Sequence, residues 1–164
     1  MKNKQIILNP IGIIHTPFNS IKNMPIQPIA AENIKGYIEI FPEYTAGLTH
    51  LEGFSHIILL YHFHEIKGFD LMVTPFLDTK EHGLFSTRSP RRPNAVGIST
   101  VKLLGIEDNI IHIEMADMLN QTPLIDIKPY VEKFDCYTGT TSGWIENNST
   151  ETIKKMRSDE RFKN

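Results

Sequence analysis

Apolar residues in this chain come in short runs separated by proline and glycine, and two of the runs alternate cleanly. Gly36-Tyr37-Ile38-Glu39-Ile40 and Ile111-His112-Ile113-Glu114-Met115 place apolar and polar side chains at successive positions, as a strand with one buried face requires. Runs rich in Ile, Val, Tyr and Phe predict strands over residues 11–16, 35–40, 55–62, 71–74, 98–105 and 110–115. Residues 105–109 suit a hairpin connection between the last two. Helical sequence is sparse. A short helix is expected over 42–50, and Asp126-Ile127-Lys128-Pro129-Tyr130 reads as a helical turn or loop. Only residues 150–162 predict a sustained helix, capped by Ser149 or Thr150. Its apolar face is thin (Ile153, Met156, Phe162), which puts it on the surface or lets it fray. The Thr- and Asn-rich stretch 137–149 reads as a loop carrying the lone Trp144.

Many short strands with frequent turns, and no internal repeat, predict a mostly β fold: a single β-barrel or sandwich. The barrel domain is expected over residues 1–136. A polar loop and a C-terminal helix, not a separate domain, follow over 137–164.

Composition narrows the reading. The 164 residues are enough for one domain with a real core. Hydrophobic residues at 40% and charged residues at 22% are unlike a disordered chain. Lys+Arg 17 against Asp+Glu 19 gives a net charge of -2. That balance argues against a globally basic nucleic-acid coat, while allowing a local basic patch. A single cysteine, Cys136, excludes an internal disulfide framework and a multi-cysteine zinc site. No stretch approaches the ~18–20 apolar residues that cross a bilayer. The apolar run in Met1–Pro10 is too short for a signal peptide. A cytoplasmic protein with no membrane partner is the expectation.

Four segments could carry chemistry. The densest is Gly83-Leu84-Phe85-Ser86-Thr87-Arg88-Ser89-Pro90-Arg91-Arg92-Pro93-Asn94-Ala95-Val96-Gly97. Two prolines stiffen it as a loop, and its guanidinium forks suit carboxylates or phosphates. The second, Met118-Leu119-Asn120-Gln121-Thr122-Pro123, is a polar turn at a strand end, a common place for ligand contacts but equally for a plain barrel-closing turn. The third, His62-Phe63-His64-Glu65, sets two histidines on one face of a strand end. With no third ligand at a recognisable spacing, hydrogen bonding in a pocket is favoured over metal binding, and no metal is expected. The fourth, Met24-Pro25-Ile26-Gln27-Pro28, holds a glutamine amide between prolines. Cys136 has no base nearby in sequence and reads as inert.

Together with Ile11-Gly12-Ile13-Ile14-His15-Thr16-Pro17-Phe18 and Leu51-Glu52-Gly53-Phe54-Ser55-His56-Ile57, these segments resemble the TsaA-like (TrmO-like) family of S-adenosylmethionine-binding proteins over about residues 8–135. The resemblance implies a β-barrel methyltransferase working as a homodimer. Its substrate would be the exocyclic nitrogen of threonylcarbamoyladenosine in the anticodon loop of tRNA. It also implies donor-binding roles for Pro25, Ile26, Gln27, His64, Glu65, Arg88, Ile98, Asn120, Gln121, Thr122 and Pro123. The chain departs from the family at two places: Asn120-Gln121 stands where Asp-Gly is usual, and Ile26 where arginine is common.

A nitrogen next to a carbonyl is a poor nucleophile until its proton is weakened, and Asp117, Asp126 and Glu65 are candidates for that role. Arg91, Arg92, Asn94 and Tyr130 are the expected RNA contacts, and no DNA partner is expected. Two alternatives stand beside this reading. One is a non-catalytic S-adenosylmethionine-binding module. The other is a methyltransferase for another small molecule or RNA.

Overall fold

The computed structural model describes residues 5–162. The expectations that fall on residues 1–4 and 163–164 lie outside the described residues. Eight strands occur in chain order: β1 (Gly12–His15), β2 (Lys35–Ile40), β3 (His56–His62), β4 (Met72–Val73), β5 (His82–Gly83), β6 (Val96–Glu107), β7 (Ile110–Glu114) and β8 (Thr122–Pro129). Six of them close an antiparallel barrel in the order β1-β2-β7-β6-β3-β8, with β1 meeting β8. β4 and β5 form a small separate ribbon. The alternating runs point as the pattern requires: Ile38, Ile40, Ile111 and Ile113 are buried inside the barrel with Ile14, Ile57, Leu59 and Leu124. These branched side chains fill a barrel too narrow to hold a channel. β1 runs close to β2 because position 12 is glycine; a Cβ there would sit 2.4 Å from the Glu39 carbonyl oxygen.

β8 runs through residues expected as the end of a polar turn (118–123) and as a helical turn or loop (126–130), and the reason is tertiary. Its first residues pair with β1 (Ile13 opposite Pro123) and its later ones with β3 (Ile57 opposite Pro129), with Leu124 paired to both. Each proline therefore has a neighbour on one side only, where a missing N–H is tolerated. A bulge where Leu60 faces Asp126 and Tyr61 faces Leu124 absorbs the change of partner.

The expected strand over 71–74 shrinks to the two residues of β4, and the helix over 42–50 is a 3-10 helix, Pro42–Leu48. The short α1 (Glu132–Asp135) follows β8.

The C-terminal helix is the larger difference. α2 spans only Thr150–Lys155, capped by Ser149, whose hydroxyl accepts from the Thr152 N–H at 3.1 Å. At Met156 the backbone becomes extended (ψ 137°) and Arg157 makes an isolated antiparallel bridge with Pro25. Phe162 does not fray: it is 7% exposed and packed with Val73, Leu84 and Phe76. Backbone pairing with the 23–25 loop outweighed the weak helical pattern.

Candidate active site

β3 and β6 pair so that Tyr61 faces Gly97, and the inward positions of both strands bring Tyr61 and Ser99 together at one end of the barrel. Position 97 must be glycine for this, since a Cβ there would lie 2.3 Å from the Tyr61 ring. The Tyr61 hydroxyl lies 3.1 Å from Ser99 Oγ, and Ser99 Oγ donates to Asp117 Oδ1 at 2.7 Å. A serine hydroxyl has one proton. With Asp117 ionised, Ser99 gives that proton to the carboxylate, so Tyr61 must be the donor to Ser99.

Asp117 keeps some exposure as a residue, but its carboxyl is enclosed. Desolvation pushes its pKa up to about 7, opposed by the Ser99 hydrogen bond and the positive charge of Arg88. Burial, with the nearby Asp117 charge, drives the Tyr61 hydroxyl well above the ordinary phenol range, so it stays protonated.

These groups stand on the wall of a cleft of about 880 Å³, within the usual range for a site that takes a drug-sized ligand. The structure brings Pro25, Ile26 and Gln27 into its lining, with His64 and Glu65 from the end of β3. Arg88, Ile98 and Thr122 line it too, as does Arg92, which was expected as an RNA contact. Arg88 Nη1 donates to Gln27 Oε1 at 2.6 Å, tying two of the sequence-predicted loops across the cleft. Ser89 Oγ, buried in the same wall, hydrogen-bonds to no protein group.

Other expected residues lie elsewhere. Asn120, Gln121 and Pro123 do not line the cleft. The Asn120 side chain accepts from the Thr16 N–H (3.2 Å) and donates to Asn19 (2.9 Å). Gln121 Nε2 meets His15 Nδ1 at 3.1 Å. Gln121 has φ 64°, the left-handed conformation that glycine adopts without cost; neither Asn120 nor Gln121 lines the cleft, although their neighbours Leu119 and Thr122 do. Asp126 faces Lys128 in an ion pair at 2.8 Å and is not part of the cleft lining. Tyr130 sits beside His56, at the end of β3 away from Tyr61.

Arg91 and Arg92 are both engaged within the protein. Arg91 Nε pairs with Asp70. Arg92 Nη1 donates to the Thr87 and Ser89 carbonyls at 3.1 and 3.4 Å, fixing the loop from inside. Asn94 is exposed.

Comparison with known proteins places this barrel. A family model described as the tRNA-methyltransferase O N-terminal domain matches residues 13–136. The chain belongs to that family. It is 49% identical over 157 residues to a probable S-adenosyl-L-methionine-binding protein of Pyrococcus abyssi, covering 96% of this chain and 85% of that one. It is 32% identical over 142 residues to the human tRNA (adenine(37)-N6)-methyltransferase, covering 82% of this chain but 32% of the human protein. The crystal structure of TrmO from Pseudomonas aeruginosa superposes with a TM-score of 0.73 at 32% identity, over 86% of this chain and 63% of that one. The chain thus spans about a third of the human relative and just under two thirds of the Pseudomonas protein.

Within this tRNA-methyltransferase O domain, Tyr61 and Ser99 went unnoticed in the sequence. Ser99 had a signal: it is a hydroxyl at an inward position between Gly97 and Val101 on an otherwise apolar face. Tyr61 had none, because an aromatic residue in an apolar strand reads as core. Trp144, Ser158 and Asp159, which also line the cleft, come from the segment read as a polar loop and surface helix.

Proposed function

We propose that this chain is an S-adenosylmethionine-dependent methyltransferase acting on the exocyclic N6 of adenine 37 in tRNA, with threonylcarbamoyladenosine as the modified base. The observation that carries the proposal is the enclosed Asp117 carboxyl, raised to about 7 and held by Ser99, on the wall of a ligand-sized cleft. A carboxyl titrating near neutrality is suited to removing a proton at physiological pH. The similarity to proteins named as S-adenosylmethionine-binding and as tRNA (adenine(37)-N6)-methyltransferase supports the same reading.

The cleft fits the donor on its own features: a largely apolar wall, polar groups at Gln27, Glu65 and Arg88, and the buried Ser89 hydroxyl with no protein partner. Pro25 to Gln27, His64, Glu65, Arg88, Ile98 and Thr122 would hold it. S-adenosylmethionine, when bound, supplies a methyl group already activated on a positively charged sulfur. The protein then has three tasks. The Arg88–Gln27 bond fixes the spacing of two cleft walls. The apolar lining excludes water. Asp117 Oδ accepts the proton that the exocyclic nitrogen gives up, while Tyr61 and Ser99 hold that carboxylate in place.

Among the expected RNA contacts Arg92 lines the cleft, while Arg91 and Arg92 also stiffen the loop that carries them. The homodimer and the cytoplasm remain part of the proposal. Among the described residues no helix is long and apolar enough to cross a membrane. The test is incubation of the purified chain and donor with tRNA carrying threonylcarbamoyladenosine, followed by mass spectrometry of the nucleosides. A methyl added to that nucleoside by the wild type, and lost with Asp117→Asn, is expected. An unchanged nucleoside profile with the wild type rejects the proposal.

A further inference from the structure

The family match ends at residue 136, yet six residues beyond it line the cleft: Trp144, Ile145, Ile153, Ser158, Asp159 and Phe162. This segment is fastened at three separate places. Ser158 is its first anchor: its N–H donates to the Met24 carbonyl at 2.9 Å, its carbonyl accepts from the Asn23 N–H at 2.9 Å, and its hydroxyl accepts from the Met24 N–H at 2.9 Å. That hydroxyl also donates to the Ile21 carbonyl. The second anchor is Phe162, buried against Val73, Leu84 and Phe76. Beside it, Arg161 lies over the Phe76 ring at 4.8 Å and donates to the Pro75 carbonyl at 3.0 Å. The third is Trp144, whose indole N–H donates to the Ser86 carbonyl at 2.8 Å while its ring stacks on His82.

These anchors share one consequence. Ser158 and Arg157 hold the loop that carries Pro25 and Gln27. Trp144 holds the turn just before Arg88. No strand of the barrel includes either loop, and the Arg88–Gln27 bond joins them across the cleft. The tail therefore fixes the separation of two walls from outside the barrel.

We propose that residues 143–162 form a wall of the ligand cleft in this chain, and that Ser158 and Phe162 are positioning residues for the loops that grip the donor. The inference rests on the methyl-donor reading above. Without the tail, the 21–28 loop would have to be ordered by the ligand itself, and that ordering is subtracted from the binding free energy.

The test uses the full chain and S-adenosylhomocysteine as the probe, with affinity read by calorimetry and by the fluorescence of Trp144, the lone tryptophan. Limited proteolysis within 137–162 reports release of the tail, and thermal melting reports the barrel. Ser158→Ala with Phe162→Ala is expected to expose the tail to protease, leave a cooperative barrel melt, and weaken probe binding by on the order of tenfold. Ser158→Ala alone removes only a hydroxyl, so it serves if the double variant does not fold, with a smaller loss in the same direction. A tail released to protease with probe affinity unchanged overturns the inference and leaves the donor reading standing. A wild-type chain that binds no probe overturns both.

Discussion

Two segments with two prolines each, the arginine-rich residues 87–94 and the partly aliphatic residues 120–130, have opposite fates. The first stays a loop because its hydrogen bonds close locally: Thr87 Oγ1 donates to the Leu84 carbonyl at 2.8 Å, and Arg92 bonds the Thr87 and Ser89 carbonyls. Its Arg88 is left free to reach across the cleft to Gln27. The second is drawn into the barrel as β8, where β1 and β3 take its backbone groups in turn. Only Thr122 of that strand reaches the cleft. A proline-bearing segment stays a loop when its polar groups satisfy one another, and becomes a strand when it offers the core an aliphatic residue such as Leu124 and two edges would otherwise be left open.

The sharpest ways to break this contrast concern the carboxyl between the two segments. Asp117→Asn should lower methyl transfer by roughly 10²–10⁴-fold, the range lost with a general base. The same variant should melt higher at neutral pH. Because the folded-state pKa of Asp117 is raised to about 7, its contribution to stability is fully present below the unfolded-state pKa. It declines as the pH rises towards 7, and asparagine has no such decline. Equal melting of the two proteins at pH 8 would contradict the enclosed-carboxyl assignment.

Gly97→Ala comes next. The added methyl must displace the Tyr61 ring and with it the bond to Ser99, so we expect at least a tenfold loss of turnover together with a lower melting temperature. Arg88→Ala should weaken S-adenosylhomocysteine binding by about tenfold, the scale of one charge-assisted hydrogen bond. An unchanged Kd with the fold intact would remove Arg88 from the donor site. Ser99→Ala deletes a hydrogen bond that lowers the Asp117 pKa, so the rising limb of the pH–rate profile should move to higher pH. The smallest effect belongs to the second segment. Asn120→Asp with Gln121→Gly should leave donor affinity within about twofold, since neither side chain lines the cleft. A larger change would mean that the Asn120 or Gln121 side chain does reach the ligand.

Much of the fold was legible because strand patterning is local. The alternation at Ile38 and Ile40, and at Ile111 and Ile113, marks a buried face without any knowledge of partners. The cleft loops were legible for a related reason: arginines and prolines crowded into residues 88–93 have no use in a core. Tyr61 was not legible. Its role depends on the absence of a side chain at Gly97 on the neighbouring strand, 36 positions away in sequence. Nor was the extended course of residues 156–162, because the Arg157–Pro25 bridge and the burial of Phe162 are contacts with distant segments.

By itself, then, the sequence determined a mostly β chain, its buried isoleucine faces, and a stiff arginine loop, each set by interactions among near neighbours. The tertiary structure alone decided that β8 closes the barrel, that Asp117 is the enclosed carboxyl among three candidates, and that the C-terminal segment walls the cleft. Those outcomes depend on which backbone groups lack partners and which charges lose water once the chain has folded back on itself, and neither quantity exists until it has.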